Sequence, residues 1–256
     1  PVPPTPSDGS CSESDNSYYY STNSPDKNTY SLFFCLGGSV SDLNAGKKKA
    51  TPDGIFDLTF ALSGAVKYFN LSFDSMKNVT IYLKQGGETK YTATTPDSGI
   101  IKYNFPAVIP GIYDVYFSLP TAGGGVNSTD SMQLSNWLAS GGTNFGGLRV
   151  LAGDVYDNSS SIIITQDDVD GILNFFVTGG YPIGSYGGSY SPPGWFVFVK
   201  YENLETPYSE FPITYSNGGP NVAFSNMSIE ISDSDIEQDF YSLFYGDVNR
   251  SFIPGL

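Results

Sequence analysis

Two short acidic segments occupy matched places in the chain. Residues 125–134 (Gly-Val-Asn-Ser-Thr-Asp-Ser-Met-Gln-Leu) overlay residues 163–172 (Ile-Ile-Thr-Gln-Asp-Asp-Val-Asp-Gly-Ile) without a gap. Val126 then pairs with Ile164, Asp130 with Asp168, Leu134 with Ile172 and Leu138 with Phe176. Each copy reads as an apolar anchor, a carboxylate, and then apolar residues at helical spacing. A calcium loop of the EF-hand type ends in this order, because its last ligand is a carboxylate at the start of the exit helix. The chemistry implied is the binding of a hard cation, Ca2+, by oxygen.

The first halves of such loops need oxygen side chains at alternate positions. For the second copy, Asp157 falls at the first position if Asp168 is the last, but Ile162 then occupies the place of the turn glycine. Starting at Asp154, in Gly-Asp-Val-Tyr-Asp-Asn with Asp157 and Asn158, gives a better first half and a loop stretched by about three residues. The first copy has no acidic half before it. Residues 246–251, Gly-Asp-Val-Asn-Arg-Ser, echo Gly153-Asp154-Val155 and offer Asp247, Asn249 and Ser251 at alternate positions. The expectation is a split site in which these three meet Asp130. The competing reading is a set of Asp/Asn/Ser turns that cap helices and need no metal.

Other chemistries are less well supplied. The chain has no histidine, which removes Ser-His-Asp and Cys-His nucleophile systems and histidine-ligated zinc. Gly123-Gly124-Gly125 lacks the Lys-Ser/Thr of a phosphate loop. Paired carboxylates of a carbohydrate-active enzyme stay open, since sequence spacing says nothing of their separation in space. A net charge of −14 argues against nucleic acid, whose phosphates call for a basic face. No apolar run approaches the ~18 residues of a membrane span. Pro1 does not open a signal peptide, so the chain reads as mature or as part of something longer. Cys11 and Cys35 could close one disulfide in an oxidising compartment, with two free thiols as the alternative.

The elements that must position these residues are mainly β. Charged residues are only 15% of the 256, and Gly, Ser, Asn, Thr, Tyr and Phe dominate, a profile of β-sandwich modules with many turns. Residues 1–10 read as a proline-stiffened linker. Residues 11–62 form an N-terminal β segment with strands over 30–36 and 55–62. Within it Lys47-Lys48-Lys49 reads as decoration of an exposed loop, and Tyr18-Tyr19-Tyr20 as an aromatic strand packed on a neighbour or an adhesive surface. Residues 63–119 alternate with period two in strands over 78–83, 91–95, 100–105 and 109–117. Residues 120–256 carry the paired loop-helix units and further strands over 195–201, 221–224 and 227–231, with a Gly/Ser/Tyr/Pro-rich loop over 181–194. Val169, Ile172, Leu173 and Phe176 predict one buried stripe on the second helix, and Leu134, Trp137 and Leu138 one on the first. Gly141-Gly142 and Gly179-Gly180 predict the helix ends.

The order Asn-Val-Thr-Ile-Tyr-Leu, Asp-Ser-Gly, Tyr-Asn-Phe, Pro-Gly-Ile-Tyr-Asp-Val within residues 63–119 resembles the prealbumin-like, carboxypeptidase-regulatory or Cna-B-like modules of bacterial surface proteins. The motifs that follow, Gly-Gly-Val-Asn-Ser-Thr-Asp, Ala-Gly-Asp-Val-Tyr-Asp-Asn, Gly-Trp-Phe-Val-Phe and the closing Asp-Phe-Tyr-Ser-Leu-Phe-Tyr-Gly-Asp-Val-Asn-Arg-Ser, resemble the dockerin-like C-terminal regions of secreted Bacteroidetes proteins. The resemblance implies an extracellular or cell-surface protein with calcium-stabilised modules. The expected function is a non-enzymatic structural subunit or stalk of a filament or surface assembly, self-associating or joined to other surface proteins. The alternative is a docking or adhesin module for a protein or glycan partner. Asp74-Ser75-Met76 resembles the short Bacteroidetes signal for O-linked sugar on Ser75, and Asn70 and Asn78 match the N-linked acceptor pattern.

Overall fold

Lys47, Lys48 and Lys49 are not on a loop but in the middle of a sheet. The computed structural model describes residue 11 and residues 19–22, 30–43, 45–119, 124–142, 145–155, 164–178, 196–200, 227–232 and 234–254. Backbone proximity divides the chain into two units, one of Pro1–Leu62, Pro106–Ile112 and Glu230–Ile236, the other of Ser63–Phe105, Tyr113–Ile229 and Glu237–Leu256. The first contains a four-stranded antiparallel meander, β1 (Tyr19–Thr22), β2 (Tyr30–Leu36), β3 (Gly46–Thr51) and β4 (Gly54–Asp57). Strand β3 holds the three lysines, and the alternation of side chains explains how a sheet tolerates them. Lys48 is 1% exposed and its ammonium pairs with the carboxylate of Asp57, its register partner on β4. Lys49 points the other way, 5.9 Å from the ring centre of Phe33.

Strand β2 forms over the predicted residues, but the single strand expected over 55–62 is two. Leu58 N–H donates to Lys47 C=O at 3.0 Å, and the chain leaves β4 before entering β5 (Phe60–Gly64). Tyr19 and Tyr20 do pack on neighbours, 6.2 Å from Phe33 and 6.1 Å from Tyr30 between ring centres, while remaining 66% and 60% exposed on an edge strand. Cys11 and Cys35 form a disulfide, with Cα atoms 6.0 Å apart.

The remaining strands are β6 (Val66–Tyr68), β7 (Thr80–Gln85), β8 (Glu88–Thr94), β9 (Tyr103–Val108), β10 (Gly111–Ser118), β11 (Phe196–Lys200), β12 (Ser228–Ile231), β13 (Ile236–Glu237) and β14 (Phe240–Phe244). They form sheets of order β12-β10-β7-β8, β11-β14-β6 and β13-β5-β9. In β7, Ile81 and Leu83 are fully buried while Tyr82 between them is half-exposed, as the period of two predicts. Two of the sheets meet through aromatic rings in the second unit. Phe117 of β10 stacks on Phe198 of β11 with centres 4.2 Å apart and meets Phe240 of β14 edge-on at 5.0 Å. Each such ring contributes about 1.5–3 kcal/mol by burial, and each pair about 0.5–1.5 kcal/mol beyond that. Strand β14 was not predicted from sequence. It lies between β11 and the parallel β6, and all five of its residues are buried. Covered on both faces, it shows no alternation to reveal it.

Helices α1 (Ser128–Ala139) and α3 (Gln166–Thr178) stand where the duplicated pattern puts them, with α2 (Gly147–Gly153) unforeseen between. Gly141 and Gly142 end α1 in left-handed conformations, and Gly142 N–H donates to Trp137 C=O at 3.0 Å. Leu134 and Trp137 are buried and Leu138 half-buried. The stripe predicted on α3 is shorter than expected. Val169 and Ile172 are buried, whereas Leu173 is 42% and Phe176 50% exposed. The expected linker 1–10, Tyr18, Gly179-Gly180, the 181–194 loop, Trp195 and the 221–224 strand lie outside the described residues.

Candidate functional site

The two matched carboxylates each cap a helix. Asn127 is the N-cap of α1: its Oδ1 accepts Thr129 N–H at 2.8 Å, while Asp130 Oδ2 accepts Asn127 N–H at 2.8 Å. At α3, Asp168 Oδ2 accepts Thr165 N–H at 2.7 Å and the Thr165 hydroxyl at 3.1 Å, and Thr165 Oγ1 accepts Asp167 N–H at 3.2 Å. Such reciprocal caps satisfy donors that a helix start leaves unpaired, worth about 1 kcal/mol apiece. Both acids are fully buried.

The closing segment comes to the start of α1. Asn249 N–H donates to Asp130 Oδ1 at 2.7 Å, and Asn249 Nδ2 donates to Asn127 Oδ1 at 3.3 Å. Ser251 Oγ donates to Gly125 C=O at 2.9 Å and receives Asn127 Nδ2 at 3.3 Å. Asp247, also fully buried, folds its own turn by accepting Ser251 N–H on Oδ1 at 2.9 Å and Phe252 N–H on Oδ2 at 3.1 Å. Tyr68, from the opposite half of the chain, donates its hydroxyl to Asp247 Oδ2 at 2.5 Å and accepts Phe244 N–H at 3.1 Å. Arg149 of α2 donates Nε–H to Val248 C=O at 2.7 Å. Of the three, Asn249 bonds Asp130 directly, Ser251 reaches its capping partner Asn127, and Asp247 acts on Asp130 through its charge. Tyr68, Asn127 and Arg149 belong to the same cluster and were not foreseen. Only the capping pattern Asn-x-x-Asp before an apolar run could have disclosed Asn127.

The two Gly-Asp-Val turns occupy related places on the helix pair. A Cβ on Gly153 would lie 3.0 Å from Leu134 and 3.5 Å from Ile164, and one on Gly246 would lie 3.1 Å from Val126 and 3.8 Å from Ile172. Exchanging the two turns exchanges Leu134 with Ile172 and Ile164 with Val126, which are the pairs of the sequence overlay. Gly246 N–H also donates to Ala152 C=O at 2.7 Å, so the turns adjoin. Asp154, buried, ends α2 with its N–H on Val150 C=O at 3.1 Å. Asp157 and Asn158 lie outside the described residues.

Burial dominates the electrostatics. It pushes the Asp130 carboxyl up to about 7; the Asn249 and Asn127 N–H groups oppose this and the charge of Asp247 adds to it. Burial likewise raises Asp247, against the hydroxyl of Tyr68 and the N–H groups of Ser251 and Phe252. Tyr68 itself is held well above the usual phenol range by burial and by Asp247. Two buried acids, one raised by the other's charge, disfavour the doubly charged state, which a bound cation would relieve. Asn249 Oδ1 is buried and has no hydrogen-bond partner among the described residues. Asp130, Asp247 and this amide oxygen are hard donors of the kind calcium takes. Among the described residues no group of three or more His, Cys, Asp or Glu side chains is placed to hold a metal, so any such site must draw on amide, hydroxyl and backbone oxygens or water.

The proposed modification residues differ in access. Asn70 is buried, and its Nδ2 donates to Asp74 Oδ2 at 2.8 Å and Phe252 C=O at 3.1 Å. Asn78 is exposed in a left-handed conformation, and Ser75 is half-buried on a bridge to Lys67. Among the described residues no helix is long and apolar enough to cross a membrane. No family model matches the chain, and no curated protein or solved structure does.

Proposed function

We propose that this chain is a non-enzymatic structural subunit or stalk of an extracellular surface assembly, with a dockerin-like helical pair held closed by calcium. The observation that carries the cation is the convergence of Asp130 and the 247–251 turn, 119 positions apart where Asn249 meets Asp130, into a buried hydrogen-bonded cluster that holds two carboxyls. A disulfide in the first unit supports an oxidising, extracellular setting. Melting the protein with calcium and with excess chelator tests the reading. A ligand bound only by the folded form at a hundredfold excess over Kd adds about 2.7 kcal/mol. A melting temperature indifferent to both additions, in wild type and in Asp130→Asn alike, removes calcium from the proposal. Electron microscopy of the purified chain then separates filament from isolated module. The second reading, a docking module, draws on Leu173, Phe176 and Val177, which stand 42%, 50% and 71% exposed along one side of α3.

A further inference from the structure

The buried acids have one covering that is not itself deeply buried. Asp247 and Val248 are fully enclosed, but exposure rises from Asn249 and Arg250, both half-buried, to Ser251, which is exposed. Residues 249–254 belong to no strand or helix, and side-chain bonds tie them to Asn127, Gly125 and Asn70. Asn249 N–H is held by Asp130, and Ser251 N–H and Phe252 N–H by Asp247. The Phe252 ring lies 5.1 Å from Tyr68 and the Arg250 guanidinium 4.9 Å from the Phe69 ring. Arg250 has φ +64, a conformation that disfavours a residue bearing Cβ.

The seat beneath bonds to the strap through Asn70, Asn127 and Asp130 but also keeps hydrogen bonds of its own. Asn127 and Asp130 cap α1 through bonds of their own, and the Asn70–Asp74 turn is closed by Asn70 Nδ2 on Asp74 Oδ2 at 2.8 Å and Asp74 N–H on Asn70 Oδ1 at 3.2 Å. We propose that residues 249–254 are a strap that opens as one unit about Asp247–Val248, with α1 and the sandwich intact, and that this opening admits solvent to Asp130 and Asp247. Open, the strap frees Asp130 Oδ1 from Asn249 N–H and both Asp247 oxygens from the backbone of residues 251 and 252. Fully buried carboxylates thereby gain a route to water without unfolding. The opening needs no calcium and is measured in its absence.

Native-state hydrogen exchange on the full chain, in chelator and rising sub-denaturing urea, measures the opening directly. The amides of Asn249, Ser251 and Phe252 should exchange with one shared free energy and one shared urea dependence, both smaller than those of Thr95 and Val115, which bond within the β framework. Phe252→Ala should speed all three strap amides by a common factor of about ten or more, and should speed Thr95 and Val115, where they exchange through global unfolding, by no more than that factor, so that the gap between strap and framework persists. Unequal free energies for the three amides overturn the proposal, as does their exchange only with the core. Both of those outcomes are read on the wild-type protein, so the test stands whether or not the variant folds.

Discussion

Removing one oxygen, in Tyr68→Phe, should cost more than any change on the exposed strands. The ring is fully buried between Phe196 and Phe252, with centres 6.3 and 5.1 Å away, so phenylalanine keeps the packing. What disappears is a hydroxyl that serves two buried partners, Asp247 Oδ2 at 2.5 Å and Phe244 N–H at 3.1 Å. A bond to a charged acceptor contributes about 1.5–3 kcal/mol, and a buried N–H left unpaired costs about 1–3 kcal/mol. Asp247 Oδ2 retains Phe252 N–H, and losses at one group do not add in full, so about 3 kcal/mol is expected. For an unfolding domain of some 150–250 residues that is a fall in melting temperature of roughly 6–12 °C. Urea unfolding followed by near-ultraviolet circular dichroism, at one pH and in chelator, reads the difference. Tyr82→Phe is the control, since Tyr82 is half-exposed on the outer face of β7, and it should stay within about 0.5 kcal/mol of wild type. A double change with Asp247→Asn should destabilise less than the sum of the two. A Tyr68→Phe protein within 0.5 kcal/mol of wild type, or a strictly additive pair, would refute the account of this hydroxyl as the link between β6 and the closing turn.

The Asp130 carboxyl, raised to about 7 in the folded protein from its ordinary 3.8, makes stability pH-dependent in a stated direction. Its contribution is fully present below the unfolded value and is lost as pH rises through about 7, so in chelator stability should fall across that window by up to about 1.4 kcal/mol per pH unit. Asp130→Asn should flatten the slope in a pH series of melts. Gly246→Ala, at φ +88 and with Val126 methyl carbons 3.1–3.2 Å from the new Cβ, should cost about 1–3 kcal/mol in urea unfolding. Gly153→Ala, which meets Leu134 but has no left-handed φ, should cost less. Reducing the Cys11–Cys35 bond, which spans 24 positions, should destabilise the β1–β4 sheet by about 3 kcal/mol, seen as faster amide exchange in β2 and β3 with the amides of β7 unchanged.

The strands with one wet face were legible because alternation records which side is buried. Ile81, Leu83, Val115 and Phe117 declared themselves in this way. Strand β14 and the lysine strand β3 did not, for opposite reasons. The first is buried on both faces, and the second hides Lys48 against Asp57, a partner that only the register supplies. The buried stripe on α3 is shorter than its spacing predicts because helical spacing marks a side of a helix, not how far along it a neighbour reaches; full burial stops at Ile172.

The amino-acid order by itself determined that the chain is mainly β, that two loop-helix units share one pattern, and that Asp130 and Asp168 begin the helices. Those are local properties, written in periodicity and in the side chains that cap a helix. Only the tertiary structure decided that Asn249 bonds Asp130 and Ser251 its partner Asn127, that Tyr68 holds Asp247 and Arg149 holds Val248, and that both acids are buried. Burial and like charge are properties of a place rather than of a residue. That place is made when β6, α1, α2 and the turn after β14 meet.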